Sequence, residues 1–187
     1  MSDLISEWEQ RLPGFGELRE ITSGDAQIHI VVLDGRADGF PHLASIVPAD
    51  VANSHGSMVA SIIKGGHDGE TLGISPGCSL SVIDIYSSTS SEYDSAYPGC
   101  SQEELAKYID IAVSNRANII NISASQQVEP FIVSSALRSS LANAIEKDVL
   151  VVASIGNDGS SSDSIPSALP GVLAVGAHDG AGRHLPF

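Results

Sequence analysis

The sequence predicts an α/β fold around a central, mostly parallel sheet. Two observations carry that expectation. Four short β-branched apolar runs lack clean alternation, as strands buried on both faces do, and two stretches between them repeat their apolar residues at helical spacing. Strand, helix, strand, helix, strand implies parallel neighbours joined by right-handed crossovers.

Residues 1–24 are expected to form an N-terminal arm packed through Trp8, Leu12 and Leu18, ahead of an α/β domain over 25–187. His29-Ile30-Val31-Val32-Leu33 reads as the first strand. A polar start at Ser54-His55-Gly56-Ser57 then runs into a small-residue helix. Leu80-Ser81-Val82-Ile83-Asp84-Ile85 is the second strand, and Ser87 to Ser101 reads as one long loop, either plain and flexible or a substrate-contacting rim. Ser101-Gln102-Glu103-Glu104 has the pattern of a capping box, and Leu105, Tyr108, Ile109 and Ala112 behind it fall on one helical stripe. The third strand is Asn118-Ile119-Ile120-Asn121-Ile122. A helix over 131–147 places Val133, Leu137, Leu141, Ala144 and Ile145 largely on one face. Val149-Leu150-Val151-Val152-Ala153 is the fourth strand, and Val172-Leu173-Ala174-Val175-Gly176 a further one after turn-rich chain.

At 187 residues and 42% hydrophobic content the chain suits one domain with a substantial core. Its 9 basic against 23 acidic residues leave a formal charge of -14, which repels phosphate backbones and anionic lipid surfaces, so neither nucleic acid nor membrane is expected as a partner. The first twenty residues include Glu7, Glu9 and Arg11 and hold no apolar run of signal-peptide length, and no later stretch approaches a bilayer span. The expected location is cytoplasmic. Cys78 and Cys100 have neither CxxC spacing nor disulfide-scaffold density; they read as buried or free thiols, with one disulfide as the alternative, and no metal site or cofactor is expected.

Parallel α/β sheets meet their ligands at the carboxyl ends of strands, so polar residues directly after strands are the candidates for chemistry. Three stand out. Asp34 follows the first strand and opens Asp34-Gly35-Arg36-Ala37-Asp38; alone it would be a turn or capping aspartate. His55, alone, would be a surface histidine at a helix start. Asn157 follows the fourth strand in Ala153-Ser154-Ile155-Gly156-Asn157-Asp158-Gly159, where Asn-Asp-Gly by itself marks a turn.

Together, in this order, the three resemble the subtilisin-like serine proteases (subtilases). The first segment is similar to that family's strand ending in Asp-Ser/Thr-Gly, with a second aspartate here at Asp38; Gly35 and Arg36 stand for the usual Ser/Thr and Gly. His55-Gly56-Ser57-Met58-Val59-Ala60 resembles His-Gly-Thr-His-Val-Ala. Leu72-Gly73-Ile74-Ser75-Pro76 looks like the Gly-Ile/Val-Ala-Pro turn, and Ile119-Ile120-Asn121-Ile122-Ser123 is similar to the Val-Ile-Asn-Met-Ser strand. Pro166-Ser167-Ala168-Leu169-Pro170-Gly171-Val172-Leu173-Ala174-Val175-Gly176-Ala177 extends the likeness. Leu12-Pro13-Gly14 and the closing 172–187 look most like subtilases that mature cyanobactin-type precursor peptides.

The resemblance implies a three-layer subtilisin-like fold whose C-terminal part is missing, with 25–187 an incomplete protease domain. It implies that Asp34 orients His55, that His55 is the general base for an attacking serine, and that Asn157 donates to the oxyanion. Ser123, Ala124 and Ser125 would pair with an extended peptide, and Ser125, where the family commonly has glycine, would narrow the primary pocket. No Gly-Thr-Ser-x-Ala segment follows Asn157, so the serine is expected beyond residue 187 or on another chain, and the chain alone is expected to be inactive. Ser57 is an unsuitable nucleophile, since side chains two apart on a helix diverge. Partners implied are a precursor peptide and a C-terminal fragment supplying the serine. Two other readings stand beside this one: a non-catalytic pseudoprotease that binds peptides, and a doubly wound signalling domain with Asp34 as phosphoacceptor, which needs further acidic residues at neighbouring strand ends.

Overall fold

The computed structural model describes residues 14–44, 54–66, 73–86, 100–127, 132–157, 159, 164–179 and 181–185. Six strands form the main sheet: β1 (His29–Asp34), β2 (His42–Ala44), β3 (Ser79–Asp84), β4 (Ile119–Ile122), β6 (Leu150–Ser154) and β8 (Val172–Val175). Their spatial order is β2-β3-β1-β4-β6-β8, and all the pairings are parallel. A two-stranded antiparallel ribbon, β5 (Gln126–Gln127) with β7 (Ser164–Ile165), stands beside it. The helices are α1 (Phe15–Ile21), α2 (Ser54–Lys64), α3 (Gln102–Ser114) and α4 (Ser135–Glu146).

Register brings the strand ends level. Asp34 pairs with Asp84, Leu33 with Ile122, Ile122 with Ala153, and Ala153 with Ala174. Polar residues just past these positions therefore share one edge of the sheet. The central run Ile30 to Leu33 is buried on both faces, as its unbroken apolar character requires. Val31, Leu33, Ile83, Ile120 and Ile122 join α3 and α4 in a large cluster on one side, which also takes in Leu105, Ile109, Leu137 and Leu141. Ile30, Val32, Leu80 and Val82 face the other way and meet Ala60 of α2, with Val59 and Ile63 against them.

That second face is covered unevenly. α2 lies over β1 and β3, whereas Leu173 and Val175 of β8 remain 52% and 46% exposed, and Met58 and Ile62 of α2 are exposed as well.

The expected strands and both amphipathic helices are present, with α4 starting four residues inside the anticipated 131–147 span because the Ser134 hydroxyl caps it, accepting from the Leu137 N–H. The short β2, β5 and β7 were not anticipated; none is long enough to carry a pattern. Within the arm, α1 buries no residue and Leu18 is exposed, so Leu18 is not a packing centre among the described residues; Trp8 and Leu12 lie outside them. Most of the long loop, 87–99, also lies outside them. Cys78 is buried, Cys100 half-buried, and both are free thiols.

Candidate active site

β1 delivers Asp34 to the carboxyl edge of the sheet, wholly inaccessible to solvent. Its Oδ1 accepts from the Gly35 N–H at 2.6 Å and from Nδ1 of His55 at 2.7 Å. A carboxylate only accepts, so the His55 proton sits on Nδ1 and the lone pair of the neutral ring on Nε2. The other carboxylate oxygen, Oδ2, is buried and has no hydrogen-bond partner among the described residues. Ser/Thr is absent at position 35, and Gly35 has only its N–H to offer.

The first turn of α2 can reach this loop because residue 56 has no side chain: a Cβ there would run into the Gly35 carbonyl oxygen and come within 2.9 Å of the Arg36 carbonyl oxygen. Two further bonds tie the loop down. The Asp38 N–H donates to Ser57 Oγ at 3.2 Å, and Arg36 Nε donates to Asp38 Oδ1 at 3.0 Å. Ser57 Oγ thus helps hold α2 to the Asp34 loop.

On the far side, β6 ends at Ser154, and Gly156, at φ 90°, turns the chain so that Asn157 stands exposed at the same edge. His55, Ser123, Ser154, Gly156, Asn157 and Val175 line one cleft of about 330 Å³. His55 and Asn157 therefore face a shared space, with Asp34 behind His55. Ser123, Ala124 and Ser125 form the connection from β4 to β5. The Ser123 N–H donates to the Leu33 carbonyl, and its carbonyl accepts from the Tyr86 hydroxyl at 2.7 Å. A Cβ on Gly156 would lie 2.9 Å from Ser125 Oγ and 3.2 Å from Ser164 Oγ, so two hydroxyls converge on the turn that carries Asn157.

Asp84 and Tyr86 were not singled out from the sequence. Asp84 ends β3 in register with Asp34, which supplies an acidic neighbour of the kind a phosphoacceptor site needs, but a fully buried carboxylate already bonded to an imidazole is closed to a phosphoryl donor. Tyr86 is held well above the usual phenol range, first by burial and then by the nearby charge of Asp34. Burial also pushes the Cys100 thiol up to about 12, with Glu104 adding to it, so this sulfur is a poor nucleophile. Among the described residues no group of three or more His, Cys, Asp or Glu side chains is arranged to hold a metal.

A parallel sheet carrying an aspartate–histidine pair at one strand end and an asparagine across a cleft from it defines a subtilisin-like α/β protease domain. The chain belongs to the Subtilase family, Peptidase S8, whose family model matches residues 44–187, beginning after Asp34. Subtilisin amylosacchariticus from Bacillus subtilis subsp. amylosacchariticus is 29% identical over 179 residues, covering 87% of this chain and 44% of that protein. Subtilisin Savinase from Lederbergia lenta is 28% identical over 162 residues, covering 81% of this chain and 56% of that one. Among solved structures, the prenylagaramide maturation protease PagA superimposes with a TM-score of 0.80 at 35% identity, over 94% of this chain and 62% of its own. The patellamide maturation protease PatA gives 0.71 at 32%, over 88% and 61%. The chain thus spans less than two thirds of these relatives, and the cyanobactin-type likeness read from the sequence stands.

Proposed function

We propose that this chain supplies the acid, the base and the oxyanion donor of a serine endopeptidase that processes a ribosomally made precursor peptide in the cytoplasm. The observation that carries the reading is the 2.7 Å bond between Asp34 and His55 with His55 and Asn157 on one cleft. In this mechanism Asp34 fixes the His55 tautomer and stabilises the imidazolium once Nε2 has taken the serine proton. The Asn157 amide then donates to the oxygen of the tetrahedral intermediate, where its bond strengthens as charge develops. Ser123, Ala124 and Ser125 present backbone to an extended peptide, which adds as a strand and brings its scissile carbonyl toward Asn157. The hydroxyls of Ser125 and Ser164 crowd the turn at Gly156 and favour a small side chain there.

The serine comes from a segment beyond residue 187 or from another chain. The open apolar patch of Leu173 and Val175 next to the cleft supports that reading, because a covering helix is what such a face accommodates. PagA and PatA are maturation proteases, and the precursor-peptide substrate is proposed from that likeness.

The test is labelling of the complete gene product with a serine-reactive fluorophosphonate, followed by peptide mapping. Labelling on one serine outside the 187 residues, abolished by His55→Ala, is the expected result. Asn157→Ala should retain labelling but lower peptide hydrolysis by about 10²–10³, the loss known for such a donor in a subtilisin. Binding of peptides without any labelling would favour the pseudoprotease reading.

A further inference from the structure

Tyr86 lies two residues past β3, yet its hydroxyl bonds to Ser123, one residue past β4. In the sheet order these strands flank β1, so the side chain reaches across the carboxyl end of the strand that carries Asp34. Two strand spacings, about 9.6 Å, are bridged by one extended tyrosine and one hydrogen bond. The ladder runs on beneath it: the Ile85 N–H donates to the Asp34 carbonyl, and the Ser123 N–H to the Leu33 carbonyl. The ring packs against the large apolar cluster.

We infer that Tyr86 is a positioning residue for peptide binding: its hydroxyl latches the Ser123 carbonyl, and with it the 123–125 edge, to the segment just past β3, across the end of the strand that carries Asp34. This rests on the proposed pairing of 123–125 with substrate. A carbonyl oxygen has two lone pairs. Tyr86 takes one, so the direction of the other is set before a peptide N–H arrives. With the Ser123 N–H already held by β1, the residue is fixed from both sides, and the ordering cost of binding falls. Burial and the neighbouring carboxylate keep the phenol protonated, so it remains a donor across the working pH range of a protease.

The experiment compares the complete gene product with its Tyr86→Phe variant, which keeps the ring and removes the donor. Hydrolysis of tetra-alanine p-nitroanilide should show KM raised about fivefold, the worth of one net hydrogen bond, with kcat little changed. The Ser123 carbonyl ¹³C resonance should move upfield in the variant as it loses its donor. A ¹³C resonance that stays put overturns the latch, and an unchanged KM, or a fall in kcat as large as the rise in KM, overturns the positioning role. Should the unsubstituted protein prove inactive, the protease reading fails, and the latch is judged on tetra-alanine binding: weaker binding by Tyr86→Phe upholds it and equal binding overturns it.

Discussion

Gly56 decides whether His55 meets Asp34. A methyl group at this position collides with the backbone of Gly35 and Arg36, so Gly56→Ala must push the first turn of α2 outward. Overpacking of this kind costs about 1–3 kcal/mol, and displacing a catalytic group by about 1 Å can cost on the order of 10² in rate. The expected outcome is loss of the low-field proton resonance of the His55–Asp34 bond together with that drop in hydrolysis by the complete gene product. A variant that kept both would show that the turn has room to spare. Asp34, His55 and Asn157 could be picked out as candidates in the sequence because each carries a distinctive residue type in a recognisable local string. The close contacts of Gly56 and Tyr86 were not foreseen, since what they meet is 21 and 37 residues away and no local pattern announces it.

At the scale of the element, α3 shows how far local chemistry reaches. Ser101 Oγ accepts from the Glu104 N–H at 3.2 Å, while Glu104 Oε2 accepts from the Ser101 N–H and hydroxyl, both at 2.8 Å. Ser101→Ala should cost about 1 kcal/mol in urea unfolding. The hydrogen bonds of Ser101, backbone first, hold the Glu104 carboxyl below its ordinary range, with Lys107 assisting. A depressed folded-state pKa means stability that is complete above the unfolded value of about 4.3 and is lost as pH falls through the folded value. Glu104→Gln should therefore be less stable than the parent at neutral pH, with the gap closing in acid; a gap independent of pH would remove the carboxylate from the account. The capping box and the stripe behind it were read correctly because every contact that defines them lies within a few residues. β2, β5 and β7, of two or three residues each, exist because their neighbours offer backbone partners, and that information is not local.

For the whole molecule, the uneven cover of the sheet bears on self-association. Leu173 and Val175 stand about half exposed on β8, and since fully burying an exposed side chain of this size contributes about 1.5–3 kcal/mol, covering each contributes about half that. Against this, the formal charge of -14 repels a second copy, but only over about 8 Å at physiological ionic strength. The isolated 187-residue chain should therefore self-associate, more so as salt rises. Leu173→Gln with Val175→Gln should shift it toward monomer in sedimentation velocity. A chain that stays monomeric at high salt would show that this face needs no cover.

The two apolar clusters on opposite sides of the sheet have separable consequences for how such a protein can drift. Leu137, Leu141 and Ile109 belong to the cluster on the side away from α2, so changes there should alter heat tolerance while leaving the seat of His55 alone. Ala60, Val32 and Val82 lie in the thinner layer that seats the helix bearing His55. Enlarging any of them should shift that helix, and under the proposed function hydrolysis by the complete gene product should fall before stability does.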